Sequence, residues 1–146
     1  MPTAAKFVSA IVFGFVAWLA AALVAAHLPE GARLAYFTEI CTATGIVMGW
    51  TISGRNAGYG MRAGVGYGLT TVAATVFWCL VIFASEEMVD RSLHVRYDGP
   101  IEAVSEAVVL FIEFGRRMLE WDVVIWLVAG GLFGGWVTER TARTWS

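Results

Sequence analysis

Few side chains in this 146-residue chain are of a type and spacing that could do chemistry. Arg55 and Arg62 flank the segment Gly54-Arg55-Asn56-Ala57-Gly58-Tyr59-Gly60-Met61-Arg62. A glycine-rich turn that leads into a helix offers free N–H groups and the positive end of the helix dipole. Two guanidiniums beside it would complete a site for a small oxyanion or a lipid phosphate. The plainer role for the same bases is to stop a membrane span at a short loop that touches lipid headgroups. Glu39 sits about one turn inside an otherwise uncharged apolar run. An ionisable group there is a candidate for proton relay or transport, although at so shallow a depth it can also reach the headgroups.

The remaining reactive types are scattered. Cys41 and Cys79 lie in separate apolar runs with no basic neighbour in sequence, and they read as packed thiols. His27 and His94 are isolated, with no second histidine at metal-ligand spacing. Gly58-Tyr59-Gly60 resembles part of a dinucleotide-binding fingerprint, but that motif needs a preceding strand and an apolar helix precedes it here. No catalytic set, metal site or cofactor is expected, so an enzyme is the least supported class.

The elements that hold these residues are set by hydropathy. Hydrophobic residues make up 58% of the chain and charged residues 15%, with a net charge of −2. The mean hydropathy is +0.68. That apolar surplus exceeds what a small core can hide, so lipid is the expected solvent. The charge suggests no nucleic-acid partner. Four runs are long enough to span a bilayer, at about 7–26, 34–54, 63–85 and 122–138. The first is longer than the apolar core of a secretion signal, so it is expected to be retained. Glu86 to Pro100 is polar, with Asp98 or Gly99 as a helix cap and Pro100 at the first helical position. Asp122 is the expected cap of the last span.

The segment 101–120 carries Glu102, Glu106, Glu113, Arg116, Arg117 and Glu120 within an arc of roughly 100° on a helical wheel. This predicts an amphipathic helix at the membrane interface, with a fifth span as the alternative. The expected fold is therefore all-α: a polytopic bundle of four transmembrane helices plus one interfacial helix, in a single domain. Four spans put both termini on one side. Lys6, Arg55, Arg62, Arg140 and Arg143 share that side, and Arg33, Arg91, Arg96, Arg116 and Arg117 the other. Arg55 and Arg62 occupy a very short loop without an acid, which breaks the tie and places both termini in the cytoplasm.

Glycines recur at four-residue spacing. Gly45 and Gly49 do so in the second span, Gly60, Gly64 and Gly68 at the start of the third. In the last span Gly130 pairs with Gly134, and Gly131 with Gly135. This spacing lets backbones approach closely in lipid. It serves either packing within one bundle or a seam to a second copy or a larger membrane complex.

Several stretches together resemble the TrgA family of alphaproteobacterial membrane proteins, named for tellurite resistance. They are Met1-Pro2-Thr3-Ala4-Ala5-Lys6, the loop 54–60, Phe77-Trp78, Glu87-Met88, Arg96-Tyr97-Asp98-Gly99-Pro100-Ile101-Glu102-Ala103, Glu139-Arg140 and Arg143-Thr144-Trp145. The resemblance runs nearly end to end. It implies an inner-membrane protein with a role in tellurite resistance and carries over no catalytic residue. An accessory subunit of a respiratory or photosynthetic complex is the second expectation. A small oxyanion or proton-coupled transporter using Arg55, Arg62 and Glu39 is the third. Membrane lipid is the expected partner throughout.

Overall fold

The computed structural model describes residues 3–27, 36–94 and 99–145, apart from the His94 side chain. Arg33, Leu34 and the stretch Arg96-Tyr97-Asp98 lie outside the described residues. Among the described residues the structure is helical apart from short turns and loops, without strands. Helix α1 is Thr3–Ala26, α2 is Phe37–Met48, α3 is Met61–His94, α4 is Pro100–Met118 and α5 is Trp121–Thr144. A π turn, Gly49–Ser53, continues α2. Three helices, α1, α3 and α5, are long and apolar enough to cross a membrane. Helix α2 has 12 residues and does not reach that length alone.

Several boundaries differ from those read in the sequence. Helix α3 runs on to His94, where a polar loop after Ser85 was expected. The extra turns are held by Arg91, which donates to Glu87 one turn back at 3.0 Å and to Glu106 on α4 at 3.1 Å. Helix α5 continues through Thr144, six residues past the expected end. Its N-cap residue is Glu120, and no side chain caps it, so Asp122 lies within the first turn. Gly99 and Pro100 occupy the cap and first turn of α4 as the sequence indicated.

Glycine placement fixes the helix directions. A Cβ on Gly45 would lie 2.6 Å from the Phe13 carbonyl oxygen, one on Gly49 2.7 Å from that of Ser9, and one on Gly54 2.7 Å from the Lys6 Cα. Helix α2 therefore runs antiparallel to α1 at backbone contact. The two overlapping glycine pairs of α5 serve different neighbours, since residues one apart point about 100° apart. Gly130 and Gly134 face Val16 and Phe13 of α1, while Gly131 and Gly135 face Gly68 and Gly64 of α3. Both crossings are antiparallel, so α1 and α3 run parallel. Four segments thus form a ring in the order α1, α2, α3, α5, and α4 packs on α3.

The buried threonine hydroxyls are satisfied locally. Thr71 donates to Tyr67 O at 2.7 Å, Thr75 to Thr71 O at 2.8 Å and Thr138 to Gly134 O at 2.7 Å. Ser9 instead reaches across to the Gly49 carbonyl at 2.7 Å. That is the residue where the α2 ladder loosens to i→i−5, with Gly54 N donating to Gly49 O at 2.8 Å.

Helix α4 has three faces rather than two. Leu110 and Met118 are buried, and Phe111 meets Phe77 of α3 edge-on at 6.0 Å. The charged residues occupy a second face. Ile101, Val104, Val108, Ile112 and Leu119 form a third that is apolar and exposed.

The α3–α5 crossing gives a direct test. A Cβ on Gly68 would meet the Gly131 carbonyl and the Gly135 backbone, which cannot rotate away. A Cβ on Gly66, two residues earlier, meets nothing within 4 Å. Gly68→Ala is expected to destabilise the bundle by roughly 1–3 kcal/mol in detergent unfolding. Gly66→Ala should be neutral or slightly stabilising, as alanine favours helix by about 1 kcal/mol over glycine. Equal melting of the two variants would contradict this crossing.

Candidate functional site

The short loop between the π turn and α3 is the best-built polar feature of the molecule. Gly58 and Gly60 have φ of +104° and +112°, a backbone region that side chains other than glycine seldom occupy. This conformation turns two amide N–H groups toward α5. Gly58 N donates to Glu139 Oε2 at 2.7 Å, and Gly60 N donates to Glu139 Oε1 at 2.9 Å. The Glu139 side chain is 0% exposed. Each carboxylate oxygen therefore receives one charge-assisted bond from backbone. Gly60 also precedes the first residue of α3, so a negative charge here faces the positive end of that helix.

Arg143, one turn along α5, adds a third donor from Nε to Glu139 Oε1 at 3.4 Å. Its side chain is 58% exposed, so this pair is screened by solvent and the two amides do most of the holding. The carboxylate reaches the loop because of the seam beneath it. Gly60, Gly64 and Gly68 on one side of the crossing oppose Glu139, Gly135 and Gly131 on the other.

The sequence placed Glu139 at the head of a tail, beyond the last span, and so missed it. The signal was present: Gly131, Gly135 and Glu139 share one helix face at four-residue spacing. A charge at the next step of a glycine seam must meet whatever ends the facing helix.

Arg55 and Arg62 are both exposed beside this loop, and neither pairs with an acid among the described residues. They remain available to an anion, whereas the amides of Gly58 and Gly60 are taken by Glu139. Glu39 is exposed in the first turn of α2, at the opposite end of the bundle from the two arginines. These three residues do not form one site. Gly45, Gly49, Gly64, Gly68, Gly130, Gly131, Gly134 and Gly135 face other helices of the same chain, and Gly60 belongs to the loop.

The two ends of the bundle differ in charge. Lys6, Arg55, Arg62, Arg140 and Arg143 gather at the loop end, where Glu139 is the lone described acid. The other described acids lie toward the far end, with Arg91, Arg116 and Arg117. His27 is there too, its Nδ1 2.8 Å from Leu23 O and its Nε2 3.8 Å from Asp122. Among the described residues no three His, Cys, Asp or Glu side chains cluster as a metal site would. No known family model, curated protein or solved structure matches the chain.

The carboxylate clamp makes a specific claim about the loop. Glu139→Ala leaves two amides without their acceptor and is expected to cost about 1–3 kcal/mol. Amide exchange at Gly58 and Gly60 should accelerate together, while Arg143→Gln changes both little. Unaltered protection of the two glycines in Glu139→Ala would remove the clamp.

Proposed function

We propose that the chain is a four-span, non-enzymatic protein of a bacterial inner membrane, similar to TrgA proteins and contributing to tellurite or envelope-stress tolerance. One observation carries the membrane part. Helices α1 and α3 run parallel, so if both cross, the chain between them must return through the same thickness. Helix α2 with its π turn is the described helical segment between them. Its 17 residues, 37–53, reach roughly 25 Å against a hydrocarbon core of about 30 Å. A short span is accommodated by local thinning of the bilayer at modest cost.

Aromatic placement supports the same frame. Tyr59 and Trp145 are exposed at the loop end, Tyr36 and Trp121 at the other. Rings at both ends of the apolar zone are what two membrane interfaces select. The bases at the loop end favour that end, with both chain ends, facing the cytoplasm. The three faces of α4 suit an interfacial position. One face packs on α3, one meets lipid and one meets water. The exposed apolar stripe of α4 also favours a second reading, an accessory subunit docked in a larger membrane complex.

The tolerance part rests on the family resemblance and on Arg55 and Arg62, two guanidiniums at the basic end that pair with no acid among the described residues and suit an oxyanion or a lipid phosphate. The test is complementation of a deletion strain under tellurite. Wild type should restore growth, and Arg55→Gln with Arg62→Gln together should not. An Asn56→Cys probe, labelled by an impermeant maleimide from the cytoplasmic face in both backgrounds, guards against a change of topology. A deletion strain as tolerant as its parent overturns the tolerance reading. Full rescue by the double variant overturns the role of the two arginines.

A further inference from the structure

We propose that Trp136, Arg140 and Trp145, on the outward face of α5 at the basic end of the bundle, bind the phosphate of one anionic phospholipid. The site depends on the membrane reading above and uses neither Arg55 nor Arg62. Helix geometry builds it. Each residue turns by about 100°, so Phe133, Trp136, Arg140 and Thr144 share one stripe of α5. Gly135 and Glu139 lie about 100° away, on the face that meets α3 and the loop. The stripe grades from apolar to basic. Phe133 is exposed, and its ring centroid lies 6.2 Å from that of Trp136. The Arg140 guanidinium sits over the Trp136 ring, 5.6 Å from its centroid. Trp136, Arg140, Thr144 and Trp145 line a shallow groove of about 170 Å³ together with Val137 and Thr141.

The donor set selects the ligand. Arg140 pairs with no acid among the described residues. Stacking on Trp136 occupies the face of its guanidinium and leaves the N–H edge, which matches two oxygens of a phosphate. The indole N–H groups of Trp136 and Trp145 can only donate, and among the described residues neither is bonded. The threonine hydroxyls are committed to their own helix. Thr141 donates to Val137 O and Thr144 to Arg140 O, both at 2.9 Å. The C-terminal end of a helix opposes an anion. Here the Arg140 carbonyl is covered by that Thr144 hydroxyl, and the Thr141 carbonyl by the Trp145 amide at 3.0 Å.

Charge complementarity also fixes the class of lipid. No carboxylate lines the groove. Glu139, the one described acid at this end, is buried with both oxygens on backbone amides. The ammonium of phosphatidylethanolamine therefore finds no acceptor, whereas phosphatidylglycerol keeps its net negative charge against the basic end. Leu132 and Phe133 continue the stripe as exposed apolar surface one to two turns before Arg140. An acyl chain can lie along them, and a free phosphate gains nothing from them.

The test is fluorescence anisotropy of tail-labelled phosphatidylglycerol and phosphatidylethanolamine, each titrated with the full-length protein in neutral detergent. Wild type should bind the anionic lipid about tenfold more tightly, the size of a charge-assisted hydrogen bond. Arg140→Gln should abolish that preference. Arg116→Gln, the same change of charge at the far end, should keep it. Arg140 is exposed, so its variant should melt with the wild type; the comparison of the two lipids on wild type needs no variant. Inorganic phosphate should displace the labelled lipid no better than chloride at equal ionic strength. Equal binding of the two lipids, a preference that survives in Arg140→Gln, or specific displacement by phosphate would each overturn the site. Flotation with neutral phosphatidylcholine vesicles reads membrane association separately. A chain that floats without headgroup preference overturns this site alone. A chain that does not float overturns the membrane reading and this site with it.

Discussion

How closely two helix backbones can approach with no side chain between them governs this structure. In lipid, helix association gains little from hydrophobic burial and depends on packing contact. Gly64 and Gly68 against Gly131 and Gly135 let α3 and α5 meet at van der Waals distance, and Gly45 and Gly49 do the same for α2 against α1. The register this imposes is strict. It carries Glu139 beneath the loop at the end of the seam, where two glycine amides converge on it. A buried carboxylate in an apolar bundle would be costly alone; here backbone donors and the start of α3 compensate it.

The far half of the bundle obeys a different rule. Past the glycine seam, larger side chains such as Phe37, Phe83, Trp126 and Leu127 separate the helices. The Phe37 and Phe83 rings meet tilted by 40° with centroids 4.6 Å apart, and the Trp126 indole donates to Val16 O at 3.1 Å. Beside these larger residues Cys41, Cys79 and Met118 line one small pocket with Ala17, Ala20 and Ala21. One end is thus closed by a carboxylate on backbone amides. The other opens into a pocket lined by Glu86, Glu87 and Glu113 together with Arg91 and Arg117. That polarity follows from where glycine gives way to aromatics along the same helices.

Most of the helical framework was legible in the sequence because hydropathy and charge mark membrane segments strongly. The apolar runs located α1, α3 and α5 to within a few residues at their inner boundaries, and Gly99-Pro100 marked the start of α4. What failed was the use of charge as a helix terminator. Glu86 to Arg91 and Glu139 to Arg143 were read as the ends of spans, yet both continue as helix, since i,i+4 ion pairs support helix in water as apolar residues do in lipid. The functional features were less legible, because they join residues far apart in the chain. Glu139 meets a loop about 80 positions away, and Cys41, Cys79 and Met118 line one pocket only once three helices have packed. Periodicity on one helix shows which face is special and cannot show what faces it.

The central claim is that the glycine seam lies within one chain and sets the register of everything above and below it. An isotope-filtered nuclear Overhauser experiment in lipid nanodiscs, on an equal mixture of differently labelled chains, tests this most directly. Contacts between the Gly68 and Gly135 α-protons should be strong in a uniformly labelled sample and vanish when only interchain contacts are selected. Contacts that survive the interchain filter would assign the seam to a second copy and contradict the account.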